Sequence, residues 1–246
     1  MTGRLRWIGH STVLVELDGA RLLTDPLLRE RVVMLRRTEP LDHEALDDLD
    51  AVLISHIHYD HLDLGSLRRL KADTVVVPYG AGALVRRRIS ASIAEVGPGD
   101  ELAIGGLTVK AVHAEHDSAR LFGKTTDALG YVISGSKRIY FLGDTDLFPA
   151  LAEVSADIDV ALLPIWGWGP SLGKGHLDPR SAAEAVALIR PRIAVPIHWG
   201  TYYPLTVRKS ERGFLQKPAH DFAEAAAELA PAVDVRVLPV GGSLEL

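Results

Sequence analysis

One stretch constrains this chain more than any other. Ala51-Val-Leu-Ile-Ser55 is an unbroken apolar run of strand length, and it passes directly into His56-Ile-His-Tyr-Asp-His61. A run without polar alternation reads as a strand buried on both faces, as in layered α/β folds. The ends of such strands open onto the cleft where ligands bind. His56 and His58 are two apart, so in extended chain they point the same way. Asp60 and His61 fall in the following turn, where they can aim at a second point nearby. Buried together without partners these groups would be costly, but a cation satisfies them easily. Imidazole and carboxylate donors suit zinc, manganese or iron. The plainer alternative is a solvated histidine-rich loop, but a chance cluster has no reason to follow a buried strand in this alternation.

The rest of the chain sets the frame. The 246 residues fit one domain, residues 1–246, and show no linker or low-complexity segment. Segments 5–8, 13–17, 21–24, 51–55 and 74–77 read as strands of a first half, with helices at 64–70 and 81–89. Segments 101–104, 107–112, 129–133, 138–142, 159–163 and 193–197 read as strands of a second half. Helices are expected at 179–189 and 218–229, and a closing strand at 233–238. Gly19…Leu-Leu-Thr-Asp25 is echoed by Gly135…Phe-Leu-Gly-Asp144, which suggests two similar halves packed sheet against sheet with helices outside. There is no cysteine, which excludes thiolate metal sites, disulfides and cysteine nucleophiles. The formal charge of −5 argues against binding nucleic acid over the whole surface. No apolar run approaches membrane-spanning length, so a cytoplasmic protein without stable membrane insertion is expected.

The motif His-x-His-x-Asp-His resembles the signature of the metallo-β-lactamase superfamily. Trp7-Ile-Gly-His-Ser-Thr-Val-Leu-Val-Glu with Leu23-Thr-Asp-Pro26, Val160-Ala-Leu-Leu-Pro164 with Gly175-His-Leu-Asp-Pro179, and Pro196-Ile-His-Trp-Gly-Thr201 extend the resemblance over nearly the whole chain. They are most similar to the branch holding ascorbate-6-phosphate lactonases and the phospholipase D that cleaves N-acyl-phosphatidylethanolamine. The resemblance implies an α/β fold, a four-layered αββα sandwich of two similar halves, with a binuclear metal site at its edge. It implies that His56, His58 and His116 hold one divalent cation and Asp60, His61 and His198 the other, with Asp144 bridging. Zinc is the first choice, with manganese or iron as alternatives. His113 competes with His116 in the same segment, and the family pattern favours His116. The implied chemistry is hydrolysis by a hydroxide bridging the two metals, which Asp60 orients.

Other residues are expected around that centre. Asp25 is placed near the ligands, His10 near the metals or the substrate, and Asp146 as an acceptor beside them. His176, after a glycine-flanked loop, is a candidate general acid or phosphate contact. Arg120, Lys124, Trp166 and Tyr202 are candidate substrate contacts. His43 and His220 read as surface residues. The basic clusters 29–37 and 86–88 read as solvated helix faces. The expected partner is a small anionic ester, phosphodiester or lactone, and a homo-oligomer is compatible with the sequence. The rival readings are a membrane-associated phospholipid phosphodiesterase, redox chemistry at iron, and a non-catalytic metal-binding or regulatory protein.

Overall fold

The computed structural model describes residues 3–41, 46–119, 125–154, 157–167 and 173–246. In the first half, β1 (Arg4–Gly9), β2 (Thr12–Leu17) and β3 (Ala20–Thr24) run antiparallel. A short hairpin follows, formed by β4 (Arg31–Val32) and β5 (Leu35–Arg37). β6 (Leu49–Leu53), helix α1 (Leu64–Leu67), β7 (Ala72–Pro78), helix α2 (Gly82–Val85) and β8 (Ser92–Val96) then add parallel strands beside β3. In the second half, β9 (Glu101–Ile104), β10 (Leu107–Ala114), β11 (Ala128–Ser134) and β12 (Arg138–Phe141) are antiparallel. β13 (Val160–Pro164), α3 (Pro179–Ile189), β14 (Ile193–Ile197), β15 (Tyr202–Pro204), α4 (Lys217–Leu229), β16 (Asp234–Val235) and β17 (Ser243–Glu245) complete the chain.

The strands form two seven-stranded sheets, β17-β1-β2-β3-β6-β7-β8 and β16-β14-β13-β12-β11-β10-β9, and a small sheet β15-β5-β4. The halves correspond. β3 has an antiparallel neighbour in β2 and a parallel one in β6, and β12 has the same arrangement between β11 and β13. The sequence echo around Asp25 and Asp144 therefore marks the exits of two equivalent strands.

One apolar cluster joins the sheets. Trp7, Val15, Leu22 and Leu53 meet Ala111, Leu129, Tyr131 and Phe141, and continue to Val186 of α3 and Phe222 of α4. A second cluster packs Leu14, Leu23, Val52 and Val75 against Leu67 of α1 and Val85 of α2. This is an αββα sandwich. α3 begins where the sequence indicates. Asp178 caps it by accepting from the Ser181 amide at 2.8 Å, and Pro179 occupies the first turn, where its missing N–H costs nothing.

Several local expectations are corrected. The helices expected at 64–70 and 81–89 are four residues each. After α1 the chain tightens into three-residue spacing, with the Leu70 amide donating to Leu67. After α2 the chain tightens in the same way, with the Arg88 amide donating to the Val85 carbonyl, and Arg86 pairs with Glu95 of β8. The 29–37 cluster is a hairpin rather than a helix face. Arg37 is only 4% exposed and donates to the carbonyls of Ile8 and Glu39. The strand at 51–55 ends at Leu53, which releases Ile54 and Ser55 into the loop that carries the histidines. The expected closing strand at 233–238 is reduced to β16, and β17 closes the first sheet by pairing with β1.

Candidate metal centre

Strand exits at one end of the sandwich carry the functional side chains. The loop after β6 carries His56, His58, Asp60 and His61; His116 follows β10, Asp144 follows β12, and His198 follows β14. Tyr131 of the second sheet donates its hydroxyl to the Ile54 carbonyl at 2.7 Å, and the Leu129 amide donates to Ser55 at 2.9 Å, so the loop is tied across the sheets. The backbone at the site is strained. His10, Asp25 and His198 have φ of 53°, 30° and 65°, a region non-glycine residues rarely occupy. Gly143, at φ 65°, has no such cost, and a Cβ there would lie 2.6 Å from the Leu129 carbonyl oxygen.

Outer acceptors orient the imidazoles. His61 directs Nδ1 to Asp25 at 2.7 Å, His116 to the Gly175 carbonyl at 2.7 Å, and His198 to the Trp166 carbonyl at 2.8 Å. Ser55 Oγ meets His56 Nδ1 at 2.9 Å and donates to Asp25 at 2.5 Å. With Nδ1 engaged outward, each Nε2 presents its lone pair inward, which is how protein scaffolds prepare histidine for a metal.

Two converging sets result. His58 Nδ1 lies 3.0 Å from His56 Nε2 and 3.1 Å from His116 Nε2. In the second set, Asp60 Oδ2 lies 3.6 Å from His61 Nε2 and 4.0 Å from His198 Nε2. Asp144 stands between the sets, with Oδ2 at 3.2 Å from His61 Nε2 and a buried Oδ1 that accepts no hydrogen bond among the described residues. Lone pairs meeting without enough protons to share, next to an orphaned carboxylate oxygen, fit divalent cations.

The electrostatics agree. Burial lowers His56 strongly and His58 as well, and brings His116 down to about 4. Burial also favours the neutral form of His61, but the carboxylates of Asp144, Asp60 and Asp25 outweigh it and raise it well above its ordinary value. Burial opposes ionisation of Asp60 and Asp144. His61 reverses this for Asp60, His198 and His61 reverse it for Asp144, and both are held well below the usual carboxylate range. Neutral His56, His58 and His116 with ionised carboxylates are the state a metal requires, and His61 would release its proton when a cation binds.

Residues 20–199 match the beta-lactamase superfamily domain. The chain belongs to the metallo-β-lactamase superfamily. A UPF0173 metal-dependent hydrolase of Methanopyrus kandleri is 30% identical and aligns over 98% of this chain and 99% of its own. An N-acyl-phosphatidylethanolamine-hydrolyzing phospholipase D of Caenorhabditis elegans is 31% identical over 80% of this chain, which spans only 63% of that relative. Among solved structures, the metallo hydrolase Igni18 of Ignicoccus hospitalis has a TM-score of 0.73 at 25% identity, covering 100% of this chain and 99% of its own.

Around this candidate metal centre the other expected residues take distinct places. His10 is 3% exposed, contacts Asp60 Oδ2 through Nε2 at 3.0 Å and stacks on His198 with ring centroids 3.9 Å apart. His176 is partly exposed; its Nε2 is 3.7 Å from Asp144 Oδ2 and its ring meets His116 edge-on at 4.7 Å. Trp166 and Tyr202 line a cavity beside His198. The Tyr202 hydroxyl donates to the Arg29 carbonyl at 2.8 Å. Arg120, Lys124 and His43 lie outside the described residues, as do Trp168 and Leu172 of the glycine-flanked stretch before His176. His113 is exposed, packs on Phe148 and belongs to no candidate ligand group among the described residues. Asp146 accepts from the Gly175 amide at 3.2 Å and so braces the carbonyl that orients His116. The exposed grouping of His220, Asp221 and Glu224 is a solvated helix face.

Sequence reasoning missed two supporting residues. Thr201 Oγ1 accepts the His10 amide at 2.6 Å and fixes that strained turn. Arg37 braces the same turn through Ile8. The Val32-Val-Met-Leu35 run between arginines was the available signal for the hairpin that carries Arg37.

Proposed function

We propose that this metal-dependent hydrolase binds two divalent cations, zinc first and manganese or iron as alternatives, and cleaves a small anionic ester, phosphodiester or lactone. The observation that carries this reading is the division of the ligands into two converging sets with Asp144 between them. His56, His58 and His116 would hold one cation, Asp60, His61 and His198 the other, and Asp144 both. Bound there, the cations make water nucleophilic near neutral pH and neutralise charge on the oxygen under attack.

The chain's own residues supply the rest. Asp60 is the acceptor for the attacking water's proton, and its carboxylate is aimed by His10 Nε2 at 3.0 Å. His176 sits on the more open side, beside Asp144, where it can donate to a leaving oxygen as that oxygen gains charge. Two divalent cations outweigh the carboxylates of Asp25, Asp60 and Asp144, so the loaded site is cationic and favours an anionic electrophile. Ser55 is fully buried and engaged with Asp25 and His56, which supports no role for it as a nucleophile.

A second reading, a phospholipid phosphodiesterase at a membrane surface, is favoured by the name of the Caenorhabditis elegans relative and by the exposed Val33, Met34 and Tyr59 beside Asp60. No helix among the described residues is long and apolar enough to cross a membrane. A screen of zinc- and manganese-loaded protein against p-nitrophenyl phosphodiesters, lactones, thioesters and a chromogenic cephalosporin tests the first reading, with phospholipid vesicles as the second arm. Hydrolysis that disappears with a chelator, returns with metal and is lost in Asp60→Asn is expected. Hydrolysis indifferent to all three treatments would overturn the proposal.

A further inference from the structure

We infer that the cavity beside His198 binds an apolar substituent of the substrate, the size of one aromatic ring or a short alkyl chain. This rests on the hydrolase reading above and adds the other half of the molecule: the anionic group faces the ligands and the apolar group fills this pocket.

The cavity measures about 270 Å³ and opens beside His10 and His198. That is just below the roughly 300 Å³ at which drug-sized ligand pockets begin. Leu35, Trp166, Trp199, Tyr202, Pro204 and Phe214 form its walls. The polar side-chain groups of Trp199, Tyr202, Thr201 and His198 on the wall are committed within the protein. Trp199 Nε1 donates to the Pro196 carbonyl at 3.0 Å, and the Tyr202 hydroxyl donates to the Arg29 carbonyl at 2.8 Å. Thr201 Oγ1 accepts from the His10 amide and donates to the Trp199 carbonyl at 3.1 Å. His198 Nδ1 donates to the Trp166 carbonyl at 2.8 Å. A polar substituent would lose its water here and find these groups already occupied, whereas an apolar one gains by leaving water.

The walls are braced rather than collapsible. Trp199 packs on Trp7 with ring centroids 5.2 Å apart, Arg37 lies over the Tyr202 ring at 5.8 Å, and Leu35 pairs with Pro204 across the small sheet. A pre-formed pocket takes a ligand without an ordering cost. At about 270 Å³ the volume within the described walls suits a short chain rather than a long lipid tail.

Calorimetry on zinc-loaded protein with methyl-, butyl-, hexyl-, phenyl- and dodecylphosphonate tests this, with uncharged benzyl alcohol followed by tryptophan fluorescence as a second arm. Affinity should rise about fourfold per methylene from methyl to butyl and level off by hexyl. Phenylphosphonate should bind at least tenfold tighter than methylphosphonate. Phe214→Ala, at a partly exposed position, and Leu35→Asn should each cut the hexyl-to-methyl ratio at least fivefold. Methylphosphonate binding with no gain from added carbons overturns the pocket and leaves the hydrolase reading standing. Benzyl alcohol binding that Phe214→Ala weakens, with no phosphonate bound, keeps the pocket and sinks the anionic-substrate reading. Absence of both overturns the pocket. An affinity still climbing at dodecyl contradicts the size limit and points to a lipid source.

Discussion

Asp25 and Asp144 face opposite nitrogens of one imidazole. Asp25 Oδ2 accepts from His61 Nδ1 at 2.7 Å, and Asp144 Oδ2 lies 3.2 Å from His61 Nε2. They leave equivalent strands, β3 and β12, yet their chemistry differs. Both Asp25 oxygens are occupied, by the Ser55 amide, the Ser55 hydroxyl and His61. Asp144 Oδ1 accepts no hydrogen bond among the described residues. One aspartate orients a candidate ligand and its counterpart is placed to be one.

That asymmetry fixes the rank of two substitutions. Asp144→Ala should release both metals. Asp25→Asn should weaken metal affinity by about 10- to 100-fold, the usual cost of losing a partner behind a histidine ligand. Competition with a chromogenic chelator measures both. An Asp144→Ala protein holding two metals at wild-type affinity contradicts the bridging assignment.

Asp60→Asn should leave the fold intact, weaken the second metal and remove most activity. Thermal unfolding, metal content and turnover separate these effects. A folded, fully active variant would contradict the role given to Asp60.

His176→Ala should keep both metals and the thermal midpoint but lower kcat by about ten- to a thousandfold, less than loss of a ligand. Metal content falling in parallel with activity would instead make His176 a ligand, as its closeness to His116 and Asp144 permits.

Protonation should destabilise the metal-free protein as acid is added. His10 is held at about 3, by burial and then by His198, and His116 at about 4, by burial, against an ordinary 6.5. Below pH 6.5 the unfolded chain therefore takes up protons that the folded chain refuses, and unfolding gains. The lowered Asp60 and Asp144 act in the same direction at lower pH. His61, raised, acts oppositely: its contribution is present below 6.5 and lost as pH rises through its folded value. The thermal midpoint should fall between about pH 6.5 and pH 4.5. A midpoint rising over that interval contradicts the assignment.

Much of this site was legible because each candidate ligand follows an apolar run that has to end at a sheet edge. Ala51-Val-Leu-Ile and Ile193-Ala-Val-Pro-Ile announce their strands, and the histidines after them inherit one end of the sandwich. The echo between Asp25 and Asp144 announced the two halves. The hairpin under Arg37 left only the short Val32-Val-Met-Leu35 run as a signal, because its strands of two and three residues leave no periodicity and its pairing partner β15 lies far along the chain. Helices α1 and α2 were overestimated because apolar spacing does not register where a tertiary crossover needs the chain to straighten. The contact of His10 with Asp60 depends on a left-handed turn fixed by Thr201, 191 residues away.

The most direct test of the account is metal stoichiometry. Chelator-stripped protein reconstituted with zinc, freed of excess metal and analysed for zinc per chain should hold two, and the Asp144→Ala protein close to none. A wild-type protein that saturates at one zinc, with Asp144→Ala unchanged, would contradict the binuclear centre.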